Sequence, residues 1–399
     1  MESEASHRHQ KRSKHTTSDP FYFSFVQDSN FTTTVLPTEI ITEILLRLPV
    51  KPLLKFRSVS KSWLGLISSH KFVNTHLNIS SNNKAFHRLI LGFGPPENNL
   101  KDCSVKSLFY DDVTRAIDLD YPPKKSYQSI KVVGSVNGVI CVAIEQKDLF
   151  LWNPSIRKLK KMPSSRTGSF YMYGFGYDEL HDDYKVVDIT LNVGDDNSYY
   201  NVGKMYSLNN NSWKHLDDLQ IAMSFNNSGM LVNGKLHWAI TNKYSGYYND
   251  CVIFVVDLAN GRWEEMENPC YGEGNFDFTP YLGVLGNDLS MICHPLMTHA
   301  DVWVMKEYGD KESWTKMFNI RCVGYSFFGP HFCISSEGEI LFKNGSNIII
   351  CNPKDDSMRF QEVTNCGQLV DAKLYIESLV WPFVVEHTRN ATTSKATHN

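Results

Sequence analysis

The stretch Leu36–Trp63, LPTEIITEILLRLPVKPLLKFRSVSKSW, predicts three short helices. Pro37 suits the first turn of the first helix, and Pro49 ends that helix. Pro52 fits the first turn of the second helix, and Ser58 is the expected cap of the third. The apolar residues of these helices outnumber what so small a module buries by itself. We therefore expect a partner to cover part of it.

The ordered series Leu-Pro, Leu-Pro and Val-Ser-Lys-Ser-Trp resembles the F-box, a module that docks on a Skp-family adaptor and so joins a cullin-based ubiquitin ligase. The resemblance covers residues 35–77, and Trp63 falls where the F-box anchors its third helix. Adaptor contacts, or the small core behind them, are implied for Leu36, Pro37, Ile40, Ile44, Leu48, Pro49, Leu53 and Val59. The alternative is a helical hairpin packed on its own domain.

The composition fits a chain of two or three domains, because its 399 residues are 42% hydrophobic. A net charge of −3 gives no electrostatic reason to expect nucleic acid or a membrane surface as a partner. Without an apolar leader or a membrane-length apolar run, the sequence predicts a cytoplasmic and/or nuclear protein. Its nine cysteines form no CxxC pair, so we predict no disulfide framework, no metal site and no cofactor.

Composition also predicts the domain boundaries. Residues 1–30 and 387–399 read as disordered tails, because they are rich in polar residues. The F-box occupies residues 31–78, and a polar linker is expected at residues 79–85. A β domain is predicted for residues 86–386.

In this second part, short runs rich in β-branched and aromatic residues alternate with turn signals. Hairpins are predicted at Asn137-Gly138, Asn233-Gly234, Gly286-Asn287 and Glu337-Gly338. The intervals are 96, 54 and 50 residues (233−137, 287−233 and 337−287), so a further turn is expected around residues 181–184. A period near fifty with four strands per unit predicts a kelch-like β-propeller of roughly six blades. The alternative is a pair of β-sandwiches.

Three segments resemble signatures of the plant F-box-associated interaction domain. They are LWNPSIRKLKKMP (151–163), GFGYDELHDDYKVVDI (174–189) and WVMKEYGDKESWTKMF (303–318). In that family the β domain recruits the protein to be ubiquitinated, and the same architecture includes pollen self-incompatibility receptors. We expect a tight approach or a β-bulge at Gly174 and Gly176. Large packing residues are expected at Trp152, Trp213, Trp263 and Trp314.

The resemblance implies a non-catalytic receptor whose β domain binds an unknown protein target. Aromatic side chains in loops suit such contacts. The candidates are Tyr199, Tyr200, Tyr244, Tyr247, Tyr248 and Phe276. The alternatives are an F-box scaffold or a self-incompatibility-type receptor that acts without ubiquitination, and a propeller enzyme. The sequence holds no G-x-S-x-G or H-E-x-x-H motif, and adjacency of Cys293 and His294 does not place them in catalytic geometry, so we predict no catalytic residue.

Overall fold

The structure is a computed structural model that describes residues 36–120, 129–145, 147–164, 170–194, 199–216, 224–225, 228–241, 251–269, 280–294, 299–321 and 328–383. The chain divides into two compact units, residues 1–41 and residues 42–399. The helices of the described residues are α1 (Thr38–Leu46), α2 (Val50–Phe56), α3 (Lys61–Ser68), α4 (His70–Asn82) and α5 (Val105–Tyr110). The three helices predicted between residues 36 and 63 are therefore confirmed, and α4 extends the module by a fourth.

The cap of α3 differs from the prediction. The hydroxyl oxygen of Ser60 accepts a hydrogen bond from the backbone N–H of Trp63 at 3.1 Å, and the Ser60 backbone is extended, as an N-cap requires. Ser58 instead donates its hydroxyl to the carbonyl oxygen of Lys55 at 2.6 Å, at the end of α2. The prediction of Ser58 as the cap was wrong, because Ser58 still belongs to the preceding turn.

The segment predicted as a linker, residues 79–85, is helical over most of its length. Helix α4 continues to Asn82, and a 3₁₀ turn follows at Lys84–Phe86. Polar side chains of this part of α4 bond within the helix: the Ser81 hydroxyl donates to the Leu77 carbonyl at 2.9 Å. Polar side chains that suggested a linker thus form hydrogen bonds to the preceding turn of α4.

The remaining described residues are mostly strands. In chain order they are β1 (His87–Phe93), β2 (Leu100–Ser104), β3 (Val113–Arg115), β4 (Ile117–Asp118), β5 (Ile130–Val136), β6 (Val139–Ile144), β7 (Asp148–Asn153), β8 (Lys158–Lys161), β9 (Phe170–Asp178), β10 (Asp183–Val193), β11 (Tyr199–Ser207), β12 (Ser212–Leu216), β13 (Ser224–Phe225), β14 (Met230–Val232), β15 (Lys235–Thr241), β16 (Cys251–Asp257), β17 (Trp263–Met266), β18 (Tyr281–Leu285), β19 (Asp288–Cys293), β20 (His299–Met305), β21 (Trp314–Arg321), β22 (Phe328–Ile334), β23 (Ile340–Asn344), β24 (Asn347–Asn352), β25 (Ser357–Thr364) and β26 (Leu369–Ile376).

Within the described residues these strands form six sheets, the blades of a β-propeller. Blade 1 has the order β26-β1-β2-β4, blade 2 is β5–β8, blade 3 is β9–β12, blade 4 is β13–β17, blade 5 is β18–β21, and blade 6 is β22–β25 followed by β3. Inner strands of successive blades contact one another, and β22 of blade 6 contacts β26 of blade 1. The ring is closed. The mainly-β prediction with roughly six blades is confirmed, and the sandwich alternative is wrong.

Both ends of the β domain contribute to ring closure. Strand β1 pairs antiparallel with β26, with His87 opposite Ile376 and Leu89 opposite Leu374. Strand β3 pairs parallel with β25, with Val113 opposite Glu362. Blades 1 and 6 are therefore each built from residues more than two hundred positions apart in the sequence.

The propeller has two distinguishable ends. At one end, which we call the helix-side end, α4 leads through the 3₁₀ turn into β1, and the Asn137-Gly138 turn lies against Ser378. Asn137 also donates a side-chain N–H to the hydroxyl of Tyr184 at 3.2 Å, which places the β9–β10 hairpin at the same end. The opposite end, where β5, β9 and β26 begin, we call the far end.

The predicted hairpins form as expected. Asn137 and Gly138 have φ values of 54° and 76°, and Asn233 and Gly234 have 50° and 70°. Two successive left-handed residues are the requirement of a two-residue type I′ turn. The turn expected around residues 181–184 joins β9 to β10. Each predicted repeat thus corresponds to one blade.

Packing between blades explains the large and small residues of the repeat. A Cβ atom added to Gly174 would lie 2.7 Å from side-chain atoms of Leu236 and Trp238, so the predicted close approach is confirmed. Trp152 is 1% exposed, and Trp314 is 7% exposed. All four predicted tryptophans belong to apolar clusters of the blades. Their role in packing is confirmed.

Candidate functional site

The helical module exposes several large apolar side chains. Before residue 42, Leu36 is 55% and Ile40 is 48% exposed. Beyond it, Ile44 is 51%, Val59 is 61% and Leu64 is 47% exposed. Single exposed apolar residues are normal on a protein surface, but three such residues from position 44 to 64 are typical of a surface that binds a partner.

The residues named from the sequence differ in exposure. Pro37 and Pro49 are exposed, and Leu48 is half-buried. Leu53 is fully buried, so it belongs to the core of the module rather than to its surface. The sequence reasoning missed Leu64, which follows Trp63 on α3. In the sequence, Leu64 is distinguished only as a large apolar residue directly after Trp63.

A buried histidine holds α4 against the preceding helices. Nε2 of His76 lies 2.9 Å from the carbonyl oxygen of Leu48. Burial lowers the pKa of His76, and the hydrogen bond to Leu48 offsets part of that effect. The imidazole is therefore neutral and donates Nε2–H to the carbonyl. Its ring packs between Phe72 and Phe86, with centroid distances of 6.2 and 5.9 Å.

Further polar contacts attach α2 and α4 to the propeller. Glu377, which follows β26, accepts a hydrogen bond from the backbone of Val50 at the start of α2. The ammonium group of Lys84 donates to the carbonyl oxygen of Ile334 at the end of β22. His87 bonds the carbonyl oxygen of Ser81 at 3.0 Å. From α2 onwards, the helical module is fixed to the helix-side end.

The aromatic residues predicted to contact a target map to the far end. The ladder between β10 and β11 ends there with Val193 opposite Tyr199. Tyr200 is 47% exposed and Val193 is 58% exposed. For Tyr199 only the backbone is described. Val193 adds an exposed apolar residue that the sequence reasoning did not name.

The other four candidates, Tyr244, Tyr247, Tyr248 and Phe276, lie outside the described residues. The first three follow β15, whose last residue Thr241 pairs with Cys251. This pairing lies at the end of the β15–β16 ladder opposite the Asn233-Gly234 turn. Their role as target contacts stays a prediction.

Cys293 ends β19, and His294 follows it directly. Burial raises the pKa of Cys293 well above its usual value, so this thiol is not a ready nucleophile beside His294. In the part of the chain that the structure describes, no group of three His, Cys, Asp or Glu side chains could hold a metal ion. No helix among the described residues is long and apolar enough to cross a membrane.

Comparison with known protein families identifies both modules. Residues 34–75 match the F-box domain, and residues 97–388 match the F-box associated beta propeller domain. The chain therefore belongs to the family of F-box proteins that carry an F-box associated beta propeller domain.

Three relatives from Arabidopsis thaliana illustrate the similarity. An F-box/kelch-repeat protein is 32% identical over 362 residues, which cover 87% of this chain and 96% of the relative. The F-box protein CPR1 is 28% identical over 376 residues, 86% of this chain and 88% of the relative. A further F-box protein is 30% identical over 375 residues, 86% of this chain and 90% of the relative. The similarity spans both the helical module and the propeller.

Proposed function

We propose that this protein is the substrate-recognition subunit of a Skp–cullin–F-box ubiquitin ligase. The helical module binds a Skp-family adaptor, and through it a cullin, while the propeller binds a protein target. The protein itself performs no chemistry in this proposal. It holds the target near a conjugating enzyme carried elsewhere in the complex, so its contribution to ubiquitin transfer is proximity.

The observation that carries the proposal is the exposed apolar surface of the helical module. Ile44 and Val59 are more than half exposed, although a side chain of this size is usually buried. The proposal places adaptor contacts on these residues and on Leu36, Pro37, Ile40, Leu48 and Pro49, with Leu53 supporting them from the core. Leu64 joins the same surface.

The positions of the two modules also support the proposal. The helices from α2 onwards are attached at the helix-side end, whereas Tyr200 and Val193 are exposed at the far end. A target bound at the far end would leave the adaptor surface free. The target candidates Tyr199, Tyr200, Tyr244, Tyr247, Tyr248 and Phe276 belong to this proposal, as does the location in the cytoplasm or nucleus.

The test compares two charge substitutions in the full-length chain. Ile44→Asp places a charge in the proposed apolar contact, which costs several kcal/mol and lowers adaptor affinity by about a hundredfold or more. Phe360→Asp is the matched control, because Phe360 is 72% exposed on β25. We expect recovery of adaptor and cullin to be lost with Ile44→Asp and kept with Phe360→Asp. Equal recovery by the two variants contradicts the adaptor assignment.

Ubiquitination separates the ligase from a scaffold. Proteins captured by the wild-type chain in proteasome-inhibited cells should carry ubiquitin, and those captured by Ile44→Asp should not. If the wild type and Ile44→Asp capture equal amounts of protein, and none of it carries ubiquitin, the chain is a receptor that acts without ubiquitination. Circular dichroism of both variants verifies that the propeller is folded.

A further inference from the structure

The inner strands of the propeller surround a cavity on its axis. All six blades contribute to its wall, and its volume is about 560 Å³. Pockets that bind small molecules or inserted side chains have volumes of roughly 300–1,000 Å³. We call this space the axial cavity. It is a different surface from the exposed apolar residues of the helical module.

Apart from the thiol of Cys333, the ionisable residues that line the axial cavity are basic. They are Lys84, His87, Lys306 and Lys373, and no Asp or Glu occurs among the described lining residues. Lys84 donates to the Ile334 carbonyl, and the ammonium nitrogen of Lys306 lies 3.8 Å from Asp288. The carbonyl contact leaves the positive charge of Lys84 in place, whereas the carboxylate of Asp288 compensates part of the charge of Lys306.

Two half-buried lysines outside the lining of the axial cavity interact with Asp371, the residue before the lining residues Ala372 and Lys373. Lys131 belongs to β5 and Lys343 to β23, on blades 2 and 6. Both are in electrostatic range of Asp371, which lies on β26 two residues before Lys373. Strand β26 of blade 1 contacts β5 on one side and β22 on the other, which explains how three blades bring these charges together.

The lysines of this cluster are incompletely compensated. Burial lowers the pKa of Lys131 and of Lys343, and the carboxylate of Asp371 opposes that effect in both. Within the described residues no carboxylate lies within 4.0 Å of the ammonium groups of Lys131, Lys343 or Lys373. One carboxylate thus compensates two partly desolvated ammonium groups, and Lys373 adds a further positive charge near Lys131, an arrangement that an added anion would stabilise.

We propose that the axial cavity is an anion-binding site for a phosphate group. A phosphate monoester carries roughly 1.5–2 negative charges and three acceptor oxygens, so it can receive hydrogen bonds from several lysines at once. A single carboxylate has less charge and fewer acceptors for the same lysines. The phosphate belongs either to a free small molecule or to a phosphorylated side chain of a bound protein. The inference rests on the charges of the cavity and is independent of ligase function.

The experiment uses the full-length chain with two probes. Calorimetric titration with inorganic phosphate, against chloride at equal ionic strength, measures binding of the free anion. Fluorescence anisotropy of a degenerate peptide library with a central phosphoserine, against the same library with serine, measures binding of a phosphorylated side chain. Saturable phosphate binding supports the first source, and binding of the phosphoserine library alone supports the second.

Substitution of lysine by methionine locates the site, because methionine keeps an unbranched side chain and removes the charge. Lys373→Met and, as a second variant, Lys131→Met should each weaken phosphate-dependent binding about tenfold or more. Lys214→Met is the matched control, since Lys214 is exposed on the outer strand β12 of blade 3. The free energy of unfolding without phosphate should be unchanged or higher in the cavity variants. Absence of saturable binding by both probes, or equal affinity in Lys373→Met, Lys131→Met and Lys214→Met, overturns the proposal.

Discussion

The two ends of the propeller connect their strands in different ways. At the helix-side end, β5–β6 and β14–β15 turn through two residues each, with left-handed Asn and Gly. At the far end, Thr241 pairs with Cys251, ten positions further along the chain, and Val193 pairs with Tyr199, six positions further along. The helix-side end also carries the contacts to α2 and α4. The tight two-residue turns and the helix attachment therefore occur at the same end, whereas the far end carries longer connections, the kind of segment that commonly holds binding residues.

The strongest expected effect is at the helix-side end, in the buried contact of Lys185. Its ammonium group lies 2.7 Å from Asp178 and 2.6 Å from the Leu258 carbonyl, so it joins blades 3 and 4. Lys185→Met leaves a buried carboxylate whose remaining partners are the His181 ring and the backbone N–H groups of Leu180 and His181. We expect a loss of about 3–5 kcal/mol in the free energy of unfolding. Denaturant titration measures it. A loss no larger than that of exposed Lys214→Met would contradict this role.

The same substitution should change the ionisation of Asp178. Burial raises the pKa of Asp178, but hydrogen bonds from Lys185 and His181 outweigh it, and the net pKa is lowered. Removal of Lys185 should therefore raise the pKa. In the wild type, ionised Asp178 adds to the free energy of unfolding at any pH above the pKa of an unfolded aspartate. This contribution is lost as the pH falls through the pKa of Asp178 in the folded protein.

A second effect concerns pH and His237. Nδ1–H of this buried residue donates to the Met230 carbonyl at 3.1 Å, and Nε2 accepts from the Tyr308 hydroxyl at 2.9 Å. Burial lowers its pKa from 6.5 to about 4. As the pH falls, His237 is protonated in the unfolded chain before it is protonated in the folded protein. The free energy of unfolding is therefore highest above pH 6.5, and about 3 kcal/mol of it is lost as the pH falls to about 4.

Replacement of His237 by glutamine should remove that part of the pH dependence. The measurement is the free energy of unfolding at pH 7 and pH 5 in the wild type and the variant. His215→Gln is the control, because His215 is exposed on β12. Identical pH profiles in wild type and His237→Gln would show that this histidine does not cause the loss.

A smaller effect is expected where the helices meet the propeller. His76→Ala removes the donor to the Leu48 carbonyl and the ring between Phe72 and Phe86, at a cost of about 2 kcal/mol. Limited proteolysis should leave residues 79–85 intact in the wild type and cut them in the variant. The control His70→Ala changes an exposed histidine of the same helix. Rapid cleavage of residues 79–85 in the wild type would restore the linker interpretation.

The smallest effect on stability is expected at the far end. Tyr200→Ala should change the free energy of unfolding by less than about 0.5 kcal/mol, because the side chain is 47% exposed. It should nevertheless reduce the amount of target captured from proteasome-inhibited cells, measured by quantitative mass spectrometry. Tyr110→Ala is the control, since Tyr110 is exposed and bonds Ser336 at 2.8 Å near the helix-side end. Equal target capture by the two variants would remove Tyr200 from the binding surface.

Local signals explain why so much of the fold could be predicted. Asn137-Gly138 and Asn233-Gly234 reveal their turns, since left-handed backbone is costly for most other residues. The repeat of these turns then predicts the blades. Ser60 was missed as a cap because Ser58 is an equally good capping residue by composition, and only the backbone conformation distinguishes them.

Non-local pairing escaped the prediction. Nothing in the sequence of β3 identifies β25 as its parallel partner, because the two strands are hundreds of residues apart and share no turn. Ser80 looked like part of a polar linker, yet it is fully buried beside His76. Tertiary contacts, rather than composition, decide whether such a segment is helical.

The candidate site was only partly predictable for a similar reason. Exposure of Ile44 and burial of Leu53 depend on which side of a helix meets the core, and both read as apolar positions in the sequence. The lysines around Asp371 carry no motif at all. They come from β5, β23 and β26, and only closure of the ring brings them together.

The pairing of β1 with β26 also affects the order of events during synthesis. A ribosome makes α1 to β1 early and β26 near the end of the chain. Until residues 369–376 have been made, blade 1 lacks its inner strand, and the edge of β1 that pairs with it has no partner there. A chain that stops before Leu369 therefore carries helices α1 to α5 but an open ring. Translation of this protein yields its exposed helices first and its closed propeller last.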